Sequence, residues 1–387
     1  MLKKMKKYIL QAMATIKQIC KTGKRYLCVI RGKFFNKGVD DMKEVDTLSF
    51  MCLFADNKDR EQILNNIINK TKKILDEEKT DCFYVGKYNK YSFWFSEEFY
   101  CLIITLKNSL TVGKTDIQII QKTTEDVTKY FNLNTEQIKI EKLSRIDYKK
   151  DYKIKNKEEK EIIKFLLDIA VNKIGKNYVK IIETKEGFYK VKYKNEGSGY
   201  VEIIFYDKEN EMLQLAKKGK TTFAEASKYK GIFRTEVRIK NRRLNYEKYK
   251  NGISKDIGNY YNAIAAKLYF DYYINKILGS ERFYRIDIAI KIIQNVQTLK
   301  NNMKEKLCNL LRAINENGFT KAKESYKNKK TFREHINKLK NLDISFLTFG
   351  THINGKKIKA ESIENFAIMN NDNIENKEIE IENDKNK

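Results

Sequence analysis

The sequence predicts an α+β fold: a central sheet rich in antiparallel strands, helices on one face of it, and an α-helical region after it. Three observations predict this. Residues 43–250 interleave segments that alternate apolar and polar positions with segments of helical spacing. One hairpin is explicit, with Tyr189, Val191 and Tyr193 alternating with lysines, Asn195-Glu-Gly-Ser-Gly199 as turn, and Val201, Ile203 and Phe205 alternating again. From about Asn251 to Phe349 the pattern becomes helical, with Gly279 and Gly318 as punctuation.

Taken in order, residues 1–42 form a basic N-terminal extension to which no function is assigned. Asp46–Phe54 reads as an opening strand, and Asp59 to about Glu77 repeats Ile63, Leu64, Ile67, Ile68 and Ile74 at helical spacing. Tyr91–Phe95 and Phe99–Leu106 read as strands, Thr115–Phe131 as a helix, Ile138–Tyr148 as a strand and Lys157–Ile174 as a helix. The hairpin follows, and Phe233–Lys240 is the closing strand. Thr331-Phe-Arg-Glu334 has the form of a capping box opening a helix to about Leu339. The domains expected are therefore 43–250, 251–349 and a polar, disordered tail at 350–387.

The charge narrows the function classes. Seventy-eight Lys+Arg against 51 Asp+Glu give the 387 residues a formal net charge of +27, which favours a polyanionic partner. The absence of proline and the wealth of Lys, Asn, Ile, Tyr and Phe discount that signal, because all five have AT-rich codons. The six cysteines include no CxxC pair and have no neighbouring His, which argues against zinc and against a secreted disulfide framework. The longest apolar run, Tyr100–Leu106, is strand-sized, and Lys17, Lys21 and Lys24 interrupt what a signal peptide would need as its apolar core. A cytoplasmic protein without membrane partners is expected.

Side-chain parity gives the candidate site, since successive strand residues point to opposite faces. In Ile138–Tyr148 the odd positions Lys139, Glu141, Arg145 and Asp147 form a charged face. In Phe233–Lys240 Arg234, Glu236, Arg238 and Lys240 do so, and in Val201–Lys208 Glu202, Tyr206 and Lys208 share a side with Ile204. Stacked in one sheet, these strands would offer two carboxylates, a phenol and several cations. That set suits Mg²⁺ or Mn²⁺ beside phosphates, with hard oxygens for the metal and Lys/Arg for the backbone. A merely solvated charged face is the bland alternative, and parity alone does not make the strands neighbours.

The same residues carry a resemblance. Leu143-Ser-Arg-Ile-Asp147, Ile203-Ile-Phe-Tyr-Asp-Lys-Glu209 and Phe233-Arg-Thr-Glu-Val-Arg-Ile-Lys240 occur in the order and rough spacing seen in rolling-circle replication initiators. The likeness is to the gene II and gene X replication proteins of filamentous phages and to the Rep-trans plasmid initiators. The segment Thr331-Phe-Arg-Glu-His-Ile-Asn-Lys-Leu-Lys-Asn-Leu-Asp-Ile344 also resembles a recurrent C-terminal part of such proteins. The resemblance implies a nicking-endonuclease-like sheet and a metal-dependent endonuclease that nicks and rejoins one DNA strand. Tyr206 would be the nucleophile, forming a 5′-phosphotyrosyl intermediate and a free 3′-hydroxyl, with Lys208 steadying the developing charge. Asp147 and Glu236 would hold the metal, with Glu202 and Glu209 in reserve, and Arg145, Arg234, Arg238 and Lys240 would bind DNA. The superfamily's paired histidine ligands are missing, because His335 and His352 stand apart in the C-terminal region. Implied partners are a single-stranded or cruciform origin and the host helicase and polymerase. The region from Asn251 on would read the duplex, though the sequence singles out no recognition helix. The competing classes are a non-catalytic DNA-binding replication or partition factor, and a scaffold whose charge reflects codon usage.

Overall fold

A computed structural model describes residues 45–54, 60–75, 82–96, 101–107, 114–173, 182–184, 188–193 and 201–367. The N-terminal extension, the hairpin turn at 195–199 and the end of the tail lie outside the described residues. The chain has the α+β fold expected, divided into two compact units. The first takes the chain up to Ile146 together with Lys240–Leu268; the second takes Asp147–Ile239 and everything from Tyr269 on.

The first unit opens with β1 (Val45–Phe54) and α1 (Arg60–Lys70), followed by the strands β2 (Lys72–Leu75), β3 (Cys82–Tyr88), β4 (Tyr91–Ser96) and β5 (Cys101–Lys107). The helix expected to reach Glu77 stops at Lys70. Lys72–Leu75 instead pairs antiparallel with β3, a strand that alternation had not marked. β5 returns to pair with β1, Phe50 opposite Ile104. α2 (Asp116–Phe131) starts at Thr115, whose hydroxyl accepts from the Gln118 amide while Gln118 accepts from the Thr115 amide. Its inner side brings Phe131 edge-on to Phe93 at 4.9 Å, and Asp126 accepts a 2.7 Å bond from the Tyr91 hydroxyl. Leu48, Phe50, Phe93, Ile104 and Phe131 make this unit's core.

β6 (Ile138–Lys153) gives its first nine residues to the first unit and Asp147–Lys153 to the second. It runs five residues beyond the expected end, through a stretch too polar for alternation to mark. In the second unit it is followed by α3 (Lys157–Lys173), β7 (Ile182–Thr184), β8 (Phe188–Tyr193), β9 (Val201–Asp207), two helices, α4 (Lys208–Lys217) and α5 (Phe223–Ser227), and β10 (Ile232–Lys240). β8 pairs with β9 in the expected hairpin and β9 with β10, all antiparallel. The strand order is β2-β3-β4-β5-β1 in the first unit and β7-β8-β9-β10-β6 in the second. Both are therefore a strand, a helix and a meander whose last strand lies beside the first. No repeat is visible in the residues themselves.

α6 (Asn241–Asn251) and α7 (Ala263–Ile277) are followed by β11 (Phe283–Tyr284), α8 (Ile286–Asn295), α9 (Asn301–Glu324) and α10 (Lys329–Asn341), the last three in the second unit. The tail expected to be disordered from residue 350 instead continues in order to Ala367. It forms a hairpin, β12 (His352–Ile353) with β13 (Lys356–Lys357), and β14 (Ser362–Ile363) pairs with β11. Phe366 is fully buried, edge-on to Phe233 at 5.6 Å and 5.7 Å from Phe283, which is why the segment stays down. Each of the two units draws on residues from both sides of position 250. No helix among the described residues is long and apolar enough to cross a membrane.

Candidate functional site

The three strands that parity singled out are adjacent in the second unit, in the order β6-β10-β9. β9 and β10 are in a register that sets Arg238 opposite Glu202, Glu236 opposite Ile204 and Arg234 opposite Tyr206. Their other faces, Val201, Ile203 and Phe205 with Phe233, Val237 and Ile239, are apolar and buried. Burial of that face fixes the register, because a one-residue slip would turn every carboxylate into the core.

Arg238 is the centre of the polar face. Its guanidinium reaches three carboxylates: Nε to Asp147 Oδ2 at 3.0 Å, Nη1 to Glu202 Oε2 at 3.1 Å and Nη2 to Glu236 Oε2 at 3.7 Å. The carboxylates are almost wholly buried (Asp147 1%, Glu202 2%, Glu236 5% exposed), so they need this partner. Burial works to pull the Arg238 pKa down, but Asp147, Glu236 and Glu202 together hold it above its ordinary value.

Tyr206 lies on the same face, its hydroxyl donating to Glu236 Oε1 at 2.6 Å. Burial, then the Glu236 charge, pushes the phenol well above its ordinary range, and Arg234 opposes this. The phenol in this arrangement is protonated, with a carboxylate already placed to receive its proton. Arg234 is itself buried and held by Asp151 through two bonds, 2.5 Å from Nε and 2.7 Å from Nη2.

The expected residues come together unevenly. Tyr206, Asp147 and Glu236 converge, joined by Glu202 from the reserve set. Lys208 is not on the strand: β9 ends at Asp207, whose side chain caps α4 by accepting from the Asn210 amide. Lys208 opens that helix, pairs with Glu211 at 2.5 Å, and holds its ammonium 5.6 Å from the Tyr206 ring and 5.4 Å from the Tyr229 ring. Glu209 accepts from the Gly231 amide, steadying the turn into β10. Arg234 and Arg238, expected on phosphates, are engaged by carboxylates. Arg145 and Lys240 are half-buried and belong to the first unit. His335 is buried in α10 and shares a hydrogen bond with Tyr326, so it is no part of the cluster.

Asp151 and Tyr229 were missed. Asp151 continues the odd parity of β6, and extending that strand would have found it. Tyr229 follows a short helix and carries no sequence signal. As a metal centre, the donor set is right in type, since carboxylates and a phenol are hard oxygens. In this arrangement the guanidinium is the carboxylates' common partner, and no three acidic, His or Cys side chains among the described residues are grouped to hold an ion. No protein-family model matches the chain, and no curated protein matches it.

Proposed function

We propose that the chain is a cytoplasmic DNA nicking and joining enzyme that starts rolling-circle replication through Tyr206. The observation that carries this reading is the 2.6 Å hydrogen bond from the Tyr206 hydroxyl to Glu236, a nucleophile and its base already in contact. Glu236 takes the phenolic proton as the oxygen attacks phosphorus. The bond from phosphorus to the 3′-oxygen breaks, and that oxygen takes a proton from solvent water and leaves as a 3′-hydroxyl on which a host polymerase can extend behind a helicase; Glu236 returns the phenolic proton to solvent. The 5′-phosphate stays on Tyr206, so rejoining needs no nucleotide. The high phenol pKa makes a base necessary, and the ammonium of Lys208 near the ring favours the negative charge that develops on the oxygen.

Mg²⁺ or Mn²⁺ is the cofactor that suits these oxygens, and when bound it would polarise the scissile phosphate as a Lewis acid. Asp147 and Glu236, with Glu202, would hold it by exchanging the Arg238 guanidinium for the ion. The net charge of +27 is in keeping with a DNA partner. A second reading, a non-catalytic DNA-binding replication or partition factor, is favoured by the closed ion-pair network, which a purely structural polar core would also form.

One experiment separates them. The full chain is incubated with labelled single strands and Mn²⁺, and denaturing gels are read for a covalent adduct. Wild type is expected to form it and Tyr206→Phe to form none, with DNA binding unchanged. Equal adduct in both, or none in either, sinks the assignment.

A further inference from the structure

Between Lys321 and Lys338 the sequence carries seven cationic side chains and two carboxylates, and the fold sorts these charges from the apolar residues. α9 breaks at Gly318, whose φ of 84° and ψ of 162° suit glycine alone, and leaves a short helical segment at 319–324. Residues 325–328 turn, and α10 begins at Lys329. The pair is fixed from inside: Phe332 lies edge-on to Phe319 and to Tyr326, each at 5.2 Å, and the Tyr326 hydroxyl meets His335 Nδ1 at 3.0 Å. Phe332, His335, Ile336 and Leu339 face inward. Lys329, Lys330, Arg333, Glu334, Asn337 and Asn341 are exposed, with no apolar residue and one carboxylate among them. Lys327, Lys329, Lys330 and Arg333 form no ion pair with any described residue. The first turn of α10 holds two lysines and no acid, an arrangement the helix dipole disfavours and a bound polyanion would reverse.

We propose that α10 is the helix with which this chain reads duplex DNA, lying in the major groove as the second member of a helix-turn-helix. Arg333 and Asn337, four apart on one face, meet base edges, where a guanidinium fork suits guanine and a carboxamide suits adenine. Lys327, Lys329 and Lys330 meet the flanking phosphates. An anionic membrane could use the lysines, but the exposed face has no apolar side chain to insert. The proposal deepens the nicking function by assigning the surface that selects the origin. It does not depend on Tyr206.

The test uses the full chain and a duplex library with a randomised core, from which wild type is expected to enrich a sequence. Anisotropy on that duplex and on a scrambled one then reads preference. Arg333→Ala and Asn337→Ala should each cost roughly 5- to 150-fold on the enriched duplex and little on the scrambled one. Lys329→Ala and Lys330→Ala should weaken both duplexes alike, each reducing the salt slope by about 0.9. Enrichment of no sequence overturns the proposal, as does an Arg333→Ala/Asn337→Ala double variant with wild-type preference. So does tighter binding to phosphatidylglycerol vesicles than to any duplex. Single-strand adduct assays on the same variants keep the two readings apart. Adduct that persists while duplex preference is lost supports α10 as the reader, and enrichment without any adduct removes the nicking reading alone.

Discussion

The two units follow one strand scheme and load it differently. In the first, the face turned away from the helices carries Ser49, Thr105 and Ser92 in one register row, and the Ser49 and Thr105 hydroxyls share a 2.8 Å hydrogen bond. In the second, the corresponding face carries Glu202, Glu236, Asp147, Arg234, Arg238 and Tyr206. Neutral hydroxyls satisfy each other when buried, at small net gain. Three buried carboxylates and a guanidinium are expensive to desolvate, and an apolar replacement would often serve stability as well or better. Under the proposed function, chemistry rather than packing would explain why one unit carries them, and the shared scheme would explain why fold alone does not reveal which unit is the active one.

Removing the centre of the charged face should have the largest effect. Arg238→Met leaves three buried carboxylates without their common cation and should cost about 3–5 kcal/mol in urea melts. Mn²⁺ should restore part of that loss; if it restores none, the carboxylates do not hold a metal. Next is Glu236→Gln, which keeps a hydrogen-bond acceptor for Tyr206 but loses the base. Adduct formation should slow by roughly 10²- to 10⁴-fold with the fold intact, in single-turnover gels. The matching change in the first unit, Ser49→Ala with Thr105→Val, should cost about 1 kcal/mol and leave adduct formation alone. If that pair cost as much as Arg238→Met, the contrast between the faces would disappear.

The smallest effect is acid sensitivity, confined to the unit that contains the histidines. Burial first, then Lys306 and Lys338, lowers the His335 pKa below its ordinary 6.5. The unfolded chain therefore binds this proton more readily. Stability should be full above about pH 6.5 and decline as pH falls from there through the folded-state value. His335→Gln should flatten that part of the profile in thermal melts at pH 5 to 7, and an unchanged slope would assign it to other groups.

Parity made much of the site legible. Alternation in Ile138–Tyr148, Val201–Phe205 and Phe233–Lys240 put Asp147, Tyr206 and Glu236 on one side before their strands were known to be neighbours. What escaped depended on partners distant in sequence. Lys72–Leu75 continues the helical spacing of α1 and becomes a strand only because β3 offers a ladder. Lys149–Lys153 has no apolar rhythm. Asp207 both ends β9 and caps α4, and only its bond from the Asn210 amide shows that Lys208 belongs to the helix. The Thr331 capping box is not used, because Asn328 accepts from the Lys330 amide and starts α10 three residues earlier. The engagement of Arg238 by three carboxylates needs a register that no single strand contains.

The return of β10 to β6 also sets when the site can exist. Asp147 comes off the ribosome some ninety residues before Arg238, and Tyr206 thirty before Glu236. A growing chain that ends short of β10 therefore holds Tyr206 with neither Glu236, its hydrogen-bond partner, nor the guanidinium that meets the carboxylates. Pairings this distant form late and slowly in folding. Under the proposed nicking function, a half-made or misfolded copy would carry Tyr206 without its partners, and the capacity to cut DNA would arrive only with the finished sheet.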